Sequence, residues 1–236
     1  MADSNDVPEK GMNPWGQAIS AVALVGALAV GFWAISKNQT DTGAGAEAKP
    51  AVCSGGEAEK GDKAAGRAYG AQLCTALNRS DLAELLGTPG ETAKSASGGG
   101  GSIGTGSSKI PHPSSRVEFD TYTVTLSATY NKLTVATTAE LLADEVQPQK
   151  VLGRNAALYS DRTISIGFRL DGSDATSAPG VPARVLVVPL HDKDSGGFYE
   201  LTLWRSDGGV PDDTTLIQVA ERVLPTIPGW KDRARA

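Results

Sequence analysis

Histidine and cysteine are scarce in this 236-residue sequence, which contains only two of each. A structural zinc site uses four Cys or His ligands, and a catalytic triad needs a His that is held by a carboxylate beside a nucleophile. His191 with Asp192 or Asp194 could supply part of a triad, but no GxSxG elbow accompanies it. We therefore expect no catalytic residues, no metal ligands and no cofactor-binding residues, and we interpret the segment HDKDSGG as a solvated turn.

Basic clusters are also missing. The formal net charge is -5, the sequence pI is about 5.1, and the nearest approach to a basic run is the scattered Lys231, Arg233 and Arg235. Because phosphate neutralisation needs a basic surface, nucleic-acid binding is not expected.

A single long apolar run stands out, the segment WGQAISAVALVGALAVGFWAI at residues 15–35. It carries no charge and is long enough to cross a hydrocarbon core of roughly 30 Å as a helix. Cleavage as a signal peptide after Ala29 would leave the apolar start VGFWAI, so retention is the better interpretation. The sequence thus predicts one transmembrane helix that anchors the protein in the plasma membrane.

The orientation of this helix follows from the two cysteines. The positive-inside comparison is equivocal, with Lys10 before the run against Lys37 and Lys49 after it. Cys53 and Cys74 are an even number, and a disulfide persists outside the cytoplasm. We expect a disulfide between them in preference to a redox pair, since they do not form a CxxC motif. Residues 1–14 then form a cytoplasmic tail.

Composition divides the rest of the chain. Residues 36–60 are rich in Gly, Ala, Ser and charge and are interpreted as a flexible linker. Residues 61–230 are expected to form one extracytoplasmic domain, and 231–236 a short tail. The stretch 94–115 is dominated by Gly and Ser and is predicted to be a disordered loop, with a lid or a phosphate cradle as the alternative.

Helical patterns lie at both ends of the domain. Tyr69, Leu73 and Leu77 recur every four residues, and the segment NRSDLAELLGTPG predicts a short second helix capped by Ser80. An amphipathic helix from Leu216 to Leu224 follows the capping candidates DD and is ended by Pro.

Strand patterns fill the region between. YTVTLSATY alternates apolar and hydroxyl residues, and ARVLVVPL pairs with FYELTLWR across HDKDSGG. RNAALYSDRTISIGFRL predicts a hairpin that turns at Ser160 to Thr163. The fold class is therefore α+β, a single antiparallel sheet with N- and C-terminal helices packed on it, preceded by one transmembrane helix.

Three segments carry a resemblance. LCTALNRSDLAELLGTPGE, VLGRNAALYSDRTISIGF and RVLPTIPGW together resemble a domain family of unknown function found in membrane-anchored or secreted actinobacterial proteins, over about Cys74 to Trp230. The resemblance implies a location and a fold, and the family has no assigned activity or site.

Two aromatic residues are the candidate ligand face. Phe198 and Trp204 share one side of FYELTLWR with Glu200 and Thr202, where they could stack on a glycan or a peptide, or else be covered by other elements. With no catalytic constellation in view, we expect a membrane-tethered binding or accessory module of the bacterial cell envelope with an envelope protein or glycan as partner. The alternative is an extracytoplasmic hydrolase that works with carboxylates.

Overall fold

The computed structural model describes residues 49–58, 66–143, 145–167 and 176–231, all within a compact unit that begins at Lys49. The predicted cytoplasmic tail, the predicted membrane helix at 15–35 and the linker up to residue 48 lie outside these ranges and stay predictions. Within the described ranges, no helix is long and apolar enough to cross a membrane.

A large antiparallel sheet dominates the fold. In chain order the strands are β1 (Ser95–Gly99), β2 (Ser102–Ile103), β3 (Ile110–Pro111), β4 (Ser114–Glu118), β5 (Tyr122–Thr129), β6 (Val146–Val151), β7 (Arg154–Gly167), β8 (Thr176–Pro189) and β9 (Phe198–Arg205). Seven of them form the sheet in the order β1-β4-β5-β9-β8-β7-β6, and β2 and β3 form a separate two-stranded sheet. The predicted α+β class with one large antiparallel sheet is confirmed.

The described part of the chain contains four α-helices: α1 (Gly70–Leu77), α2 (Leu82–Leu85), α3 (Val135–Leu142) and α4 (Asp213–Val223). The Asp212 carboxylate caps α4 by accepting a hydrogen bond from the backbone N–H of Thr215 at 3.0 Å, as the sequence predicts. The N-cap of α2 is Asp81 rather than Ser80.

The main core lies between the helices and one face of the sheet. Alternate residues of β5 and β9, such as Leu126 and Leu201, are fully buried there against Leu73 of α1 and Leu216 of α4. This arrangement follows from the period-2 pattern, because each strand offers one apolar side to the amphipathic helices. We call this side the helix-covered face.

A smaller core lies on the opposite face. Val135 and Ala139 of α3 pack on Ala157, Val187 and Phe198 of the sheet. Because α3 has only eight residues, it covers the β7, β8 and β9 side of this face. The run Val185 to Val188 is consequently buried on both sides, as its four successive apolar residues predict.

The two cysteines form a disulfide, with their Cα atoms 5.9 Å apart. This confirms the predicted pairing and fastens residue 53 to α1. Ser54 forms a parallel bridge with Ser97 of β1, and its N–H donates to the carbonyl oxygen of Ala96 at 3.2 Å. The end of the predicted flexible linker is therefore part of the domain, because it is both cross-linked and hydrogen-bonded to the sheet edge.

The structure corrects the prediction of a disordered loop at 94–115. It contains β1, β2, β3 and the start of β4, with β1 paired along its length to β4. Glycine serves close packing here: a Cβ added to Gly98 would lie 2.6 Å from the carbonyl carbon of Gly70, at the start of α1. The glycines permit α1 to lie directly on β1, whereas composition alone indicated flexibility.

The hairpin predicted at Ser160 to Thr163 is also wrong. The β7 strand continues through these residues for 14 positions, and its partner is β8, with a register shift between Arg162 and Ile164. Ile164 and Ile166 are consequently exposed. Residues 168–175, between β7 and β8, lie outside the described residues.

Candidate ligand face

Hydroxyl and charged side chains occupy the part of the second sheet face beyond α3, where Thr123 and Ser127 are buried and the others are partly or fully exposed. We call it the polar face and define it by residues of β4, β5 and β9: Ser114, Arg116, Glu118, Thr123, Thr125, Ser127, Glu200, Thr202 and Trp204. The strand register sets them in rows, so that Ser127 lies between Ser114 and Glu200. The polar face exists because the alternation that buries Val124 and Leu126 turns the intervening residues the other way.

A cavity of about 400 Å³ opens on this face. Hydroxyl side chains dominate its lining, with Ser97, Ser114, Thr125 and Ser127 among them. Glu200 is the one carboxylate in that lining. The cavity is thus a polar depression that carries one acidic group.

Glu200 is half-buried, and no hydrogen bond or ion pair to its carboxylate occurs within the part of the chain that the structure describes. Burial raises its pKa, and the charge of Asp161 raises it further. Burial and then the Glu200 charge raise the pKa of the neighbouring Tyr159. A carboxylate so placed is available to a group that supplies hydrogen-bond donors.

Arg116 borders the cavity but does not neutralise Glu200. Its guanidinium forms an ion pair with Glu118, and its Cζ atom lies 5.2 Å from the centroid of the Trp204 ring. A hydrogen bond from Ser95 lowers the pKa of Glu118, and the charge of Arg116 adds to that effect. Arg116 thus interacts with the Glu118 carboxylate and with the Trp204 indole, and Glu118 is paired with Arg116.

His112 lies at the end of the cavity near β3. Its Nδ1 atom is 2.9 Å from Oγ1 of the buried Thr129, and burial lowers its pKa, which favours the neutral imidazole. Sequence reasoning missed this residue because it assigned 94–115 to a disordered loop. The Ser-Ala-Ser alternation at the start of SASGG fits an edge strand, and it could have indicated that the segment containing His112 is ordered.

The structure separates the two predicted ligand-face residues. Trp204 is half-buried on the polar face, whereas Phe198 is 5 % exposed and packs under α3 with Val135 and Ala139. The assignment of Phe198 to an exposed ligand face is therefore corrected, because α3 covers that end of β9. Neither residue lies under the Leu216 to Leu224 helix, which packs on the opposite face.

The HDKDSGG turn holds the fold together. Asp194 accepts hydrogen bonds from the backbone N–H of Val135, at 2.9 and 3.0 Å to its two oxygens, at the start of α3. Asp192 forms an ion pair with Nε of the buried Arg154 at 2.9 Å. His191 is exposed. Both carboxylates that could have held His191 in a triad are thus bonded elsewhere, and the described residues contain no cluster of potential metal ligands.

Two larger cavities lie elsewhere on the described domain. One of about 670 Å³ lies near Cys53, where Arg79 is paired with Asp81 and Glu91 accepts from the N–H of Thr121. Another of about 610 Å³ lies between α3 and β6, where alanine and valine side chains lie beside Glu140 and Lys150 and no hydroxyl side chain is present in the lining. The cavity on the polar face differs from both in holding an unpaired carboxylate among hydroxyls.

Comparison with known proteins gives one match. A family model described as a family of unknown function (DUF6215) matches residues 9–145. This confirms the expectation of an uncharacterised family, although the match begins before the resembling segments and includes only the first of them, LCTALNRSDLAELLGTPGE. No curated protein and no solved structure matches the chain. The source and the membrane location that the resemblance implies stay predictions.

Proposed function

We propose that this chain, which belongs to the DUF6215 family of unknown function, is a membrane-tethered, extracytoplasmic binding or accessory module of the bacterial cell envelope. The ligand surface is the polar face, with Trp204 as its aromatic contact. The plasma membrane holds the protein through residues 15–35, and the domain after Lys49 lies outside the cytoplasm.

One observation carries the binding function, the depression of about 400 Å³ on the polar face with Glu200, whose carboxylate has no partner among the described residues. Helices cover the apolar core residues on both faces of the sheet, and a concave surface of hydroxyls beside a half-buried indole is the part best suited to a polar ligand. Tryptophan offers flat apolar area with little conformational entropy to lose.

Two observations support the location. The Cys53–Cys74 disulfide is typical of an oxidising compartment. The matched residues 9–145 include the whole apolar run, so this segment belongs to what the family shares. A retained anchor accounts for both the length of the run and the apolar residues that would follow its cleavage site.

The carboxylate hydrolase is the weaker candidate. Glycosidases of this kind use two carboxyl groups that flank the substrate, about 5 to 9.5 Å apart. Glu118, the other acid of the polar face, is bound to Arg116 and Ser95 and its pKa is lowered. Because Glu118 is occupied by these partners, the polar face offers one free carboxyl group among the described residues where the mechanism needs two, and binding is the function that this site favours.

The test is retention of an envelope partner in cells. Intact cells that carry the full chain are crosslinked, the protein is isolated, and its co-purifying glycan or protein is compared between the wild type and Trp204→Ala. We expect Trp204→Ala to keep its fold and its membrane fraction and to lose the partner. Leu141→Ala is the matched control, since Leu141 is an exposed apolar residue of α3, away from the polar face. Equal recovery of the same partner with Trp204→Ala would refute the assignment.

A further inference from the structure

We propose that the ligand of the polar face is an amino sugar chain, whose primary ammonium group binds the Glu200 carboxylate while its hydroxyl groups bind the surrounding serine and threonine side chains. This inference rests on the proposed function and names the ligand class of that same site.

The charge of the Glu200 carboxylate is not balanced by a cation among the described residues. Glu200 has no ionic partner within the described residues, and the one cation in the cavity lining that is always charged, Arg116, is paired with Glu118 and stacked near Trp204. The remaining titratable groups around Glu200 are His112 in the same lining and Tyr159 and Asp161 on β7. None of these supplies a positive charge at neutral pH, so the missing complement is a cation carried by the ligand.

The groups around Glu200 suit an ammonium group better than a metal ion. The walls beside Glu200 are the hydroxyls of Ser114 and Ser127, which lie in the same row across the sheet. A primary ammonium has three donors, and a carboxylate with hydroxyl oxygens supplies acceptors for all of them. A hydrated metal ion would find only one carboxylate here, and the described residues offer no cluster of three acidic or histidine ligands.

The strand order of the sheet favours a sugar over a peptide as the carrier of this ammonium group. The β5 and β9 strands are interior and hydrogen-bonded to neighbours on both sides, and the edge strand β1, which also lines the cavity, is already bridged at Ser97 by Ser54. A peptide therefore cannot add to them through its backbone, which is how extended peptides gain most of their affinity on sheets. A polyhydroxylated ring instead matches a surface of hydroxyl groups.

The distance between Glu200 and Trp204 sets the length of the ligand. Glu200 and Trp204 are four residues apart on β9 and face the same way, which separates their Cα atoms by about 13 Å at a rise of 3.3 Å per residue. Thr202 lies between them. This length requires more than one sugar ring, so we expect an oligosaccharide that reaches from the Glu200 cavity to the indole.

The experiment compares two ligands that differ in the ammonium group alone. Binding of a glucosamine tetrasaccharide and of its N-acetylated counterpart is measured by calorimetry near neutral pH, with the full chain in detergent. We expect the wild type to bind the glucosamine chain about tenfold to a hundredfold more tightly, the range for a hydrogen-bonded charge pair. In Glu200→Gln this preference should disappear. Glu221→Gln, an exposed glutamate of α4 on the helix-covered side, should retain it.

The outcomes separate this inference from the proposed function. Equal affinity for the two tetrasaccharides, or a preference unchanged in Glu200→Gln, overturns the ammonium contact and leaves the binding function standing. Tighter Glu200-dependent binding of a lysine tetrapeptide than of the glucosamine chain overturns the sugar assignment. If neither sugar binds while Trp204→Ala still loses its cellular partner, the ligand class is wrong and the proposed function survives. Circular dichroism of Glu200→Gln confirms that the comparison concerns folded protein.

Discussion

The guanidinium carbon of Arg154 lies 3.6 Å from the centroid of the Trp230 ring. Arg154 is 2 % exposed, and its Nη1 atom donates to the carbonyl oxygens of Pro189 and Leu190, both at 2.9 Å. Its Nη2 atom donates to the carbonyl oxygen of Lys231 at 2.6 Å. One buried side chain of β7 thus joins the end of β8 to the C-terminal segment of the domain.

The first prediction concerns this buried arginine. Arg154→Met should lower the free energy of unfolding by about 3 kcal/mol or more, because the carbonyl groups of Pro189, Leu190 and Lys231 lose their donor together and the first of these contacts is fully buried. Asp192→Asn should cost about 1 kcal/mol or less, since Asp192 is over a third exposed and its ion pair is screened by water. Urea unfolding followed by tryptophan fluorescence measures both. Equal losses would contradict the claim that the carbonyl contacts dominate.

The second prediction concerns the contact between α1 and β1. Gly98→Ala should destabilise the domain by about 1 to 3 kcal/mol, because the added methyl would lie 2.6 Å from the Gly70 carbonyl group. Gly100→Ala is the control, since nothing lies within 4 Å of the position that its added methyl would occupy. Thermal unfolding of the two variants separates close packing from flexibility. A disordered loop would tolerate both substitutions alike.

The third prediction concerns the Cys53–Cys74 disulfide. Its loop of about twenty residues should contribute roughly 3 kcal/mol by restricting the unfolded chain. Reduction, or the double change Cys53→Ser and Cys74→Ser, should lower the unfolding midpoint accordingly. In protein isolated from cells and denatured without a reductant, neither cysteine should react with a thiol probe. Labelling of either one would also remove the main support for an extracytoplasmic domain.

The fourth prediction is a pH dependence from Glu200. Burial raises its pKa above the usual range, so the folded protein binds the proton more tightly than the unfolded chain. Stability should therefore fall as the pH rises from the unfolded to the folded pKa, by about 1.4 kcal/mol for each pH unit between these two values. Glu200→Gln should lack this decline. The comparison is made variant against wild type, because lowered pKa values at Asp81 and Glu118 act in the opposite direction.

The fifth prediction concerns the anchor at residues 15–35. The mature protein should fractionate with the membrane and keep the whole segment, because an N-terminus at Val30 would still begin with apolar residues. Mass spectrometry of the intact protein reads the N-terminus directly. A mature start at Val30 together with protein in the medium would show that the segment is a cleaved signal.

The sequence by itself determined the elements whose patterns are local. The alternation in YTVTLSATY set the two faces of β5, the Asp212 cap set the start of α4, and FYELTLWR divided its side chains between the two sheet faces as its period of two requires. Each of these depends on neighbours within a few residues, so a linear pattern contains the information. The family and the disulfide were likewise within reach of sequence patterns.

Only the tertiary structure decided how distant segments cover one another. Phe198 and Trp204 have equivalent places in the strand pattern, yet α3 covers the first and leaves the second half-buried. The glycines near Gly98 are typical of a loop in sequence, because the backbone of α1 that requires them is distant along the chain. Arg154 gave no local sign of burial, since its hydrogen-bond acceptors come from segments 35 to 77 positions away. The cavity with Glu200 arose in the same way, from side chains that pairing between strands alone brings together.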